Sequence, residues 1–486
     1  MSSSTQHRHD RVTAEEGQTG KEGRPVTTAS VHIEADPRRW KALGVLALIQ
    51  FMLILDVTVV NVALPRIQAD LGGGLAAQQW VVDAYLLTLG SLILVGGSLG
   101  DIFGELRVFA IGVASFAGAS VLCAVAPDAP SLIVFRGIQG VAGALLTPAS
   151  LAMLTATFSG AARGNAIGLW TSWTGISFII GPTVGGWLVD VSTWRVIFLL
   201  NLPIAAVTLL LLLRLGGMHQ KRREDLRVDV PGAILCTAGL GLVVAGFIEQ
   251  PQLGWGSPLI LTAFAAGAAC LGAFVAYELR TPMPMLPLRL FRLRNFSVTN
   301  VETLSVYGGL SGLSTFLTLY LIEFAGFSAL HAGLSLLPIT IVMFFLSPRM
   351  GRLSMQYGPR LFMSLGPILA GLAVIAYTRL PQDVDYWVDI LPALLVFSVG
   401  LSLTVAPLTT TVLADAGPGD AGVASGVNNA VARVAGLLAI AVLGIAAAGG
   451  GDHLTEHGFH VTMGAVAGLL VCGGLIGAVG IRNPPT

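Results

Sequence analysis

Five charged side chains stand where the surrounding sequence gives them no water. Asp56 lies in the apolar run Leu55-Asp56-Val57-Thr58-Val59-Val60-Asn61-Val62-Ala63-Leu64-Pro65, and Asp83 in Trp80-Val81-Val82-Asp83-Ala84-Tyr85. Arg136 opens Arg136-Gly137-Ile138-Gln139-Gly140-Val141-Ala142-Gly143, while Glu302 and Arg433 sit in two later apolar stretches. An ionisable group in hydrocarbon is costly, so it faces a cavity or a partner. The chemistry open to these groups is proton exchange by the carboxyls and permanent positive charge from the arginines. Asp56 can load and lose a proton, or remain ionised as a pin against an arginine. Arg136, Gly140 and Gly143 share a helix face by i, i+4 and i, i+3 spacing. The glycines permit close approach, and we expect Arg136 to face Asp56, either competing with protons for it or forming a static salt bridge. Asp83 is a candidate second proton or cation site, and Glu302 a further one. Arg433 reads as packing or gating. Trp170 and Trp173, at i, i+3, would stack on flat or cationic ligands if they line a cavity; lipid-facing or core packing is the alternative. With Asp56, Tyr85 and Glu302 they make up the expected substrate-contacting set.

The elements that position these residues follow from composition. Of 486 residues, 54% are hydrophobic and 11% charged, with a mean hydropathy of +0.78. A soluble chain of this length needs far more charge to cover its surface. A net charge of zero gives no general attraction to nucleic acid. About twenty apolar residues cross a bilayer as a helix, and fourteen such segments are expected. The first six are 40–64, 79–99, 108–126, 132–154, 165–189 and 194–213. A charged loop, Lys221-Arg222-Arg223-Glu224-Asp225, precedes a pair at 230–248 and 258–277. A second basic linker precedes the last six, at 298–322, 333–346 with its flanks, 361–377, 390–413, 427–448 and 461–480. Residues 1–39 are polar, read as a disordered tail, and contain no secretory apolar region. Trp80, Trp194, Trp255 and Trp387 fall near span ends, as interfacial anchors do. Cys123, Cys236, Cys270 and Cys472 lie in apolar runs and read as small buried residues without disulfides.

Orientation follows from Lys and Arg placement. With residues 1–39 in the cytoplasm and an even number of spans, only Arg66, Arg195 and Arg379 fall on the outer side and Arg136 and Arg433 within spans; the other 22 of the 27 lie inside. Both termini are therefore expected in the cytoplasm. A polar loop, Gly97-Ser98-Leu99-Gly100-Asp101-Ile102-Phe103-Gly104, recurs as Gly351-Arg352-Leu353-Ser354-Met355-Gln356-Tyr357-Gly358. Both copies read Gly-x-Leu-x-x-x-x-Gly, suggesting a duplicated bundle of the kind secondary transporters use.

Six spans, a pair, then six more, together with these motifs, resemble the major facilitator superfamily, and within it the fourteen-span drug:proton antiporters. The resemblance covers about residues 41–481. It implies an all-α polytopic membrane protein of two six-helix bundles plus two inserted helices. The corresponding parts are a tail (1–39), a first bundle (40–214), a linker with two extra spans (215–296), a second bundle (297–481) and a terminus (482–486). The Asp56 run is close to the family's first-span signature, and the Arg136 run resembles its fourth-span motif, which implies proton coupling by Asp56 and Arg136, with Asp83 added because it lies one turn into the second span. Gly168, Ser177, Gly181, Pro182, Gly185 and Gly186 resemble the motif that distinguishes exporters from importers, with Ser177 in place of a usual glycine. Gly97, Asp101 and Gly104 retain the gating loop, but Ile102 and Glu105-Leu106 replace its usual basic residues, and Met355 and Gln356 replace the charged positions of the second copy. Asp101 then caps a helix instead.

The expected function is proton-coupled export of lipophilic, by resemblance cationic, small molecules across the bacterial inner membrane by alternating access. The alternatives are a dedicated exporter of one endogenous metabolite, an uptake symporter, and a non-transporting receptor or scaffold. No nucleotide-binding loop or nucleophile elbow appears, so no enzymatic activity is expected. No cofactor is expected. The loop Asp452-His453-Leu454-Thr455-Glu456-His457 has no closed metal-site spacing, and no metal is assigned. Expected partners are the small-molecule substrate, protons and the lipid bilayer, with a monomer as the working state.

Overall fold

A backbone in hydrocarbon must satisfy its own hydrogen bonds, so apolar runs of this length fold as helices. The computed structural model describes residues 38–158, 177, 180–181, 183–215, 228–282, 284–381, 383–416, 421–449 and 453–483, and no strand occurs among them. Helix α1 (Arg38–Leu71) turns into α2 (Gly74–Phe103) through Gly72 and Gly73, at φ 74° and 91°. Glycine adopts that backbone at no steric cost, and the turn stops α1 there. Helix α3 (Glu105–Ala124) follows. Asp128 caps α4 (Ala129–Thr157) by accepting from the Ser131 amide at 2.8 Å. The Ser131 hydroxyl and amide hold the Asp128 carboxyl below the usual aspartate range. A helical stretch at 183–191, here α5, leads to α6 (Arg195–Leu199) and α7 (Asn201–Leu215).

Asp229 caps α8 (Val230–Leu253), which forms a hairpin with α9 (Pro258–Glu278). There follow α10 (Arg294–Glu323), α11 (Ala329–Ser335), α12 (Leu337–Tyr357), α13 (Pro359–Val374), α14 (Leu391–Ala416), α15 (Ala421–Ala448) and α16 (Glu456–Gly480). Thirteen helical segments among the described residues are long and apolar enough to span a bilayer. The expected fifth span lies mostly outside the described residues; its described end, 183–189, is helical.

Several spans are longer than the sequence pattern suggests. The first runs for 32 residues, from Trp40 to Leu71, and stops only at the left-handed Gly72 and Gly73. The expected loop at 97–104 is instead the end of α2, and only Gly104, at φ 94°, breaks the helix. Its repeat behaves alike: α12 runs through Gly351 to Tyr357, and Gly358, at φ 85°, ends it. Both motifs place their break at the final glycine. Of the expected tryptophan anchors, Trp255 and Trp387 are exposed. Trp194 is buried, donating to Asp70 at 2.9 Å, and Trp80 is half-buried. The four cysteines are free thiols, and Cys472 is exposed, not buried.

Helices α1–α4 and α7 pack on one another, and α10 and α12–α16 do likewise. The two groups, here the first and second halves, meet chiefly along α2 and α15, and also where α1 approaches α10 and α11. Helix α8 packs against α2 and α15 together, so the inserted hairpin braces the seam between the halves.

Candidate functional site

The strongest polar network lies inside the first half. Arg136 Nη1 on α4 is 2.6 Å from Asp56 Oδ2 on α1. Gln139, one turn beyond Arg136, donates from Nε2 to Asp56 Oδ1 at 2.8 Å, and accepts from Arg136 Nη1 at 2.7 Å. Asn201, the first residue of α7, donates to Asp56 Oδ1 at 2.9 Å. The Ser120 hydroxyl on α3 accepts from Gln139 at 2.9 Å and from Asn201 at 3.2 Å. Arg136 Nε donates to the Val81 carbonyl of α2 at 3.0 Å, and its guanidinium lies 4.3 Å from the Tyr85 ring centre. Each of these side chains is buried. Charges this deep are tolerated only when paired and hydrogen-bonded, and here both carboxylate oxygens are occupied. Gln139, Ser120 and Asn201 were not singled out by sequence; their only signal is a neutral polar type inside an apolar run.

Asp83 is different. It is fully buried, and neither of its oxygens has a hydrogen-bond partner. Its place in the seam follows from its helix face. Gln79, four residues earlier, donates to the Ile440 carbonyl of α15 at 2.7 Å. A Cβ on Gly436 of α15 would lie 3.8 Å from Leu86, and one on Gly90 would lie 3.1 Å from the Arg433 Cβ. Residues 79, 83, 86 and 90 share one stripe of α2, so Asp83 belongs to the stripe that faces α15. The neighbouring stripe faces α8: Trp80 donates to Glu249 at 2.9 Å, and the Ser91 hydroxyl accepts from Thr237 at 2.9 Å. Asp83 thus sits on the side of α2 covered by the second half and the inserted hairpin.

Glu302 is equally buried and without a partner, but it stands elsewhere. A Cβ on Gly477 would lie 2.9 Å from its Oε2, so the carboxyl faces α16 within the second half. The structure does not bring it to Asp56 or Tyr85. The Tyr85 hydroxyl has no partner and lies 3.3 Å from a Cβ built on Gly143. Gly181 and Gly185 meet Thr58 and Val59 of α1, and Gly186 meets the Leu330 backbone of α11. A Cβ on Gly97 would touch Pro148 of α4 at 3.6 Å. Trp170, Trp173, Pro182 and Gly168 lie outside the described residues, as does the Asp101 side chain.

At the end of the bundle marked by Gly72, polar bonds tie the halves. Gln68 of α1 lies 3.1 Å from the His453 ring, and the Leu330 amide donates to Asp190 at 3.2 Å.

A helical bundle in two packed halves, with buried charges at and beside their seam, is the architecture of a secondary transporter. The profile of the Major Facilitator Superfamily matches residues 46–440, and the chain belongs to that superfamily. It is 36% identical to the puromycin resistance protein pur8 of Streptomyces alboniger, covering 87% of this chain and 85% of that one. It is 35% identical to the cephamycin export protein CmcT of Amycolatopsis lactamdurans, covering 81% and 82%. A crystal structure of a peptide transporter POT in complex with sulfate superposes with a TM-score of 0.67 at 15% identity, over 90% of this chain and 93% of that one. That likeness is one of fold.

Proposed function

We propose that the protein is an efflux transporter that exchanges lipophilic small molecules for protons across the bacterial cell membrane. One observation carries the export reading: relatives similar over more than four-fifths of this chain bear names of antibiotic resistance and export. In the proposed orientation the Gly72 end is external. The bonds from Gln68 to His453 and from Leu330 to Asp190 then close the outer side, and the halves rock about the α2–α15 seam.

Asp83 is the proposed proton carrier. An ionised carboxylate there would have no partner, and a buried, unpaired charge is the form such a site tolerates least. Proton loading would let the seam close over Asp83, and proton release would favour opening it. Asp56 is held in this conformation by Arg136 on Oδ2 and by Gln139 and Asn201 on Oδ1, and the proposed cycle separates it from Arg136. Gly97, Asp101, Gly104, Gly181, Pro182, Gly185 and Gly186 are proposed to serve the rocking motion, and residues 40–214 and 297–481 to move as the two bundles.

The test uses purified protein in proteoliposomes under an imposed pH gradient. Adding lipophilic compounds to the wild type should dissipate the gradient. Asp83→Asn should remove this compound-dependent proton flux, by about tenfold or more given a lost proton site, while leaving the thermal unfolding midpoint within a few degrees. Unchanged flux in Asp83→Asn would place the proton elsewhere. Absence of flux with every compound, in protein that is folded and inserted, would overturn the antiport reading.

A further inference from the structure

Arg433 is the charge that the fold leaves unanswered. It lies near the middle of α15, opposite Gly90 of α2, and is half-buried. It makes no hydrogen bond or ion pair with any described residue. The contrast with Arg136 is direct. Arg136 has a carboxylate, an amide oxygen, a backbone carbonyl and an aromatic face. Every intramembrane acid that could answer Arg433 is accounted for. Asp56 is paired with Arg136 within the first half. Glu302 faces α16. Asp83 stands two helical turns from Gly90, about 10 Å along α2 at 1.5 Å per residue, and has no partner.

What surrounds Arg433 is rich in hydroxyls. Gly308 and Ser311 of α10 face Ala435, Gly436 and Ala439 of α15, and Tyr307 lies one turn before Ser311 on that side of α10. Tyr307 of α10 is itself half-buried and has no hydrogen bond to a described residue. One turn along α15, a Cβ on Gly436 would lie 2.8 Å from the Ser311 hydroxyl of α10. A fixed cation with neutral O–H donors beside it, at the junction of the halves, lacks only an anion.

We propose that Arg433 is the substrate's anion-binding group: the exported molecule carries an acidic function, a carboxylate or an acidic enol, that docks on the guanidinium between α2, α10 and α15. Tyr307 and Ser311 donate the additional hydrogen bonds. The guanidinium's planar fork matches a carboxylate in two parallel bonds. The apolar remainder of the molecule lies along the seam. This assignment rests on the efflux reading and replaces the cationic preference that resemblance alone implied.

The experiment uses full-length protein in lipid nanodiscs and in proteoliposomes. The probes are a series of aromatic carboxylic acids beginning with 1-pyrenebutyric acid, their methyl esters, and tetraphenylphosphonium. Wild type should bind the acids about tenfold or more tighter than the esters, the range of one charge-assisted contact. Arg433→Gln should level acid and ester by weakening the acid alone, and Arg433→Lys should restore part of the preference. The thermal midpoint of Arg433→Gln should be no lower than that of wild type, because no hydrogen bond or ion pair is lost. The proposal is overturned if wild type binds the esters or tetraphenylphosphonium as tightly as the acids, or if it binds none of the acids. It is equally overturned if Arg433→Gln weakens all probes alike or unfolds at markedly lower temperature, since either result makes Arg433 a gating or structural residue. Failure of the efflux reading has a separate signature: Arg433-dependent acid binding with no proton flux from any probe. Proton flux driven equally by esters and cations would keep efflux and reject the anion site.

Discussion

Arg136→Ala should destabilise the protein by about 3–5 kcal/mol, the usual effect of removing one member of a buried ion pair and leaving the other charged. Asp56 would keep Gln139 and Asn201 on Oδ1, at 2.8 and 2.9 Å, but Oδ2 would lose the donor at 2.6 Å. Asp56→Asn should be milder. Arg136 would retain the Gln139 oxygen, the Val81 carbonyl and the Tyr85 ring, and arginine is the charge that best tolerates incomplete solvation. The double variant Asp56→Asn/Arg136→Gln removes both charges and should recover most of the stability lost in Arg136→Ala. Thermal inactivation of the purified variants checks this order. Transport then separates two roles. If the pair opens during the cycle, the stable double variant loses proton-coupled flux. A double variant that transports at the wild-type rate would make the pair a static pin.

Gly140→Val should abolish folded, transport-competent protein. A Cβ at this position would overlap the Thr88 hydroxyl and the Tyr85 carbonyl of α2. The hydroxyl can rotate away, but the carbonyl belongs to a helix backbone and cannot. Overpacking a dense interface by a single methyl costs about 1–3 kcal/mol, and the branched side chain adds more. Separating α4 from α2 has a further consequence for the charge network. The Arg136 bond to the Val81 carbonyl spans the same interface, one turn away, so the guanidinium would be displaced from both Tyr85 and Asp56. Gly140→Ala should show the same effect in smaller measure, with reduced yield and a lower inactivation temperature. Normal yield and midpoint for Gly140→Val would mean that α2 and α4 separate freely, contrary to the packing described.

The contrast between Asp56 and Glu302 explains what the amino-acid sequence could and could not reveal. Both carboxyls stand out because a charge in an apolar run is costly wherever it points. Asp56 and Arg136 were expected to face one another, and they are 2.6 Å apart. The direction of Glu302 was not legible, because a span that is apolar on all sides gives no signal of which neighbour each stripe meets. Gln139, Ser120 and Asn201 complete the Asp56 network, yet neutral polar residues are cheap enough in a helix to occur without a role. Among the described residues the spans followed from hydropathy, whereas helix ends did not: α2 continues through the polar motif to Gly104, since in a helix extending beyond the apolar core only backbone geometry sets the stop. The brace formed by α8 was equally hidden, for its composition reads only as membrane-spanning.

That brace bears on how a lipophilic compound reaches the interior. Molecules dissolved in a leaflet can approach a two-half carrier sideways, through the slits where its halves adjoin. Along the slit between α2 and α15, α8 is seated against both helices and anchored to α2 through Trp80–Glu249 and Ser91–Thr237, while α9 presents exposed Leu259, Leu261 and Val275. Lateral diffusion from the lipid is therefore blocked on this flank. Cargo drawn from the membrane must come in elsewhere, so the inserted hairpin makes the two flanks of the molecule unequal in the plane of the bilayer.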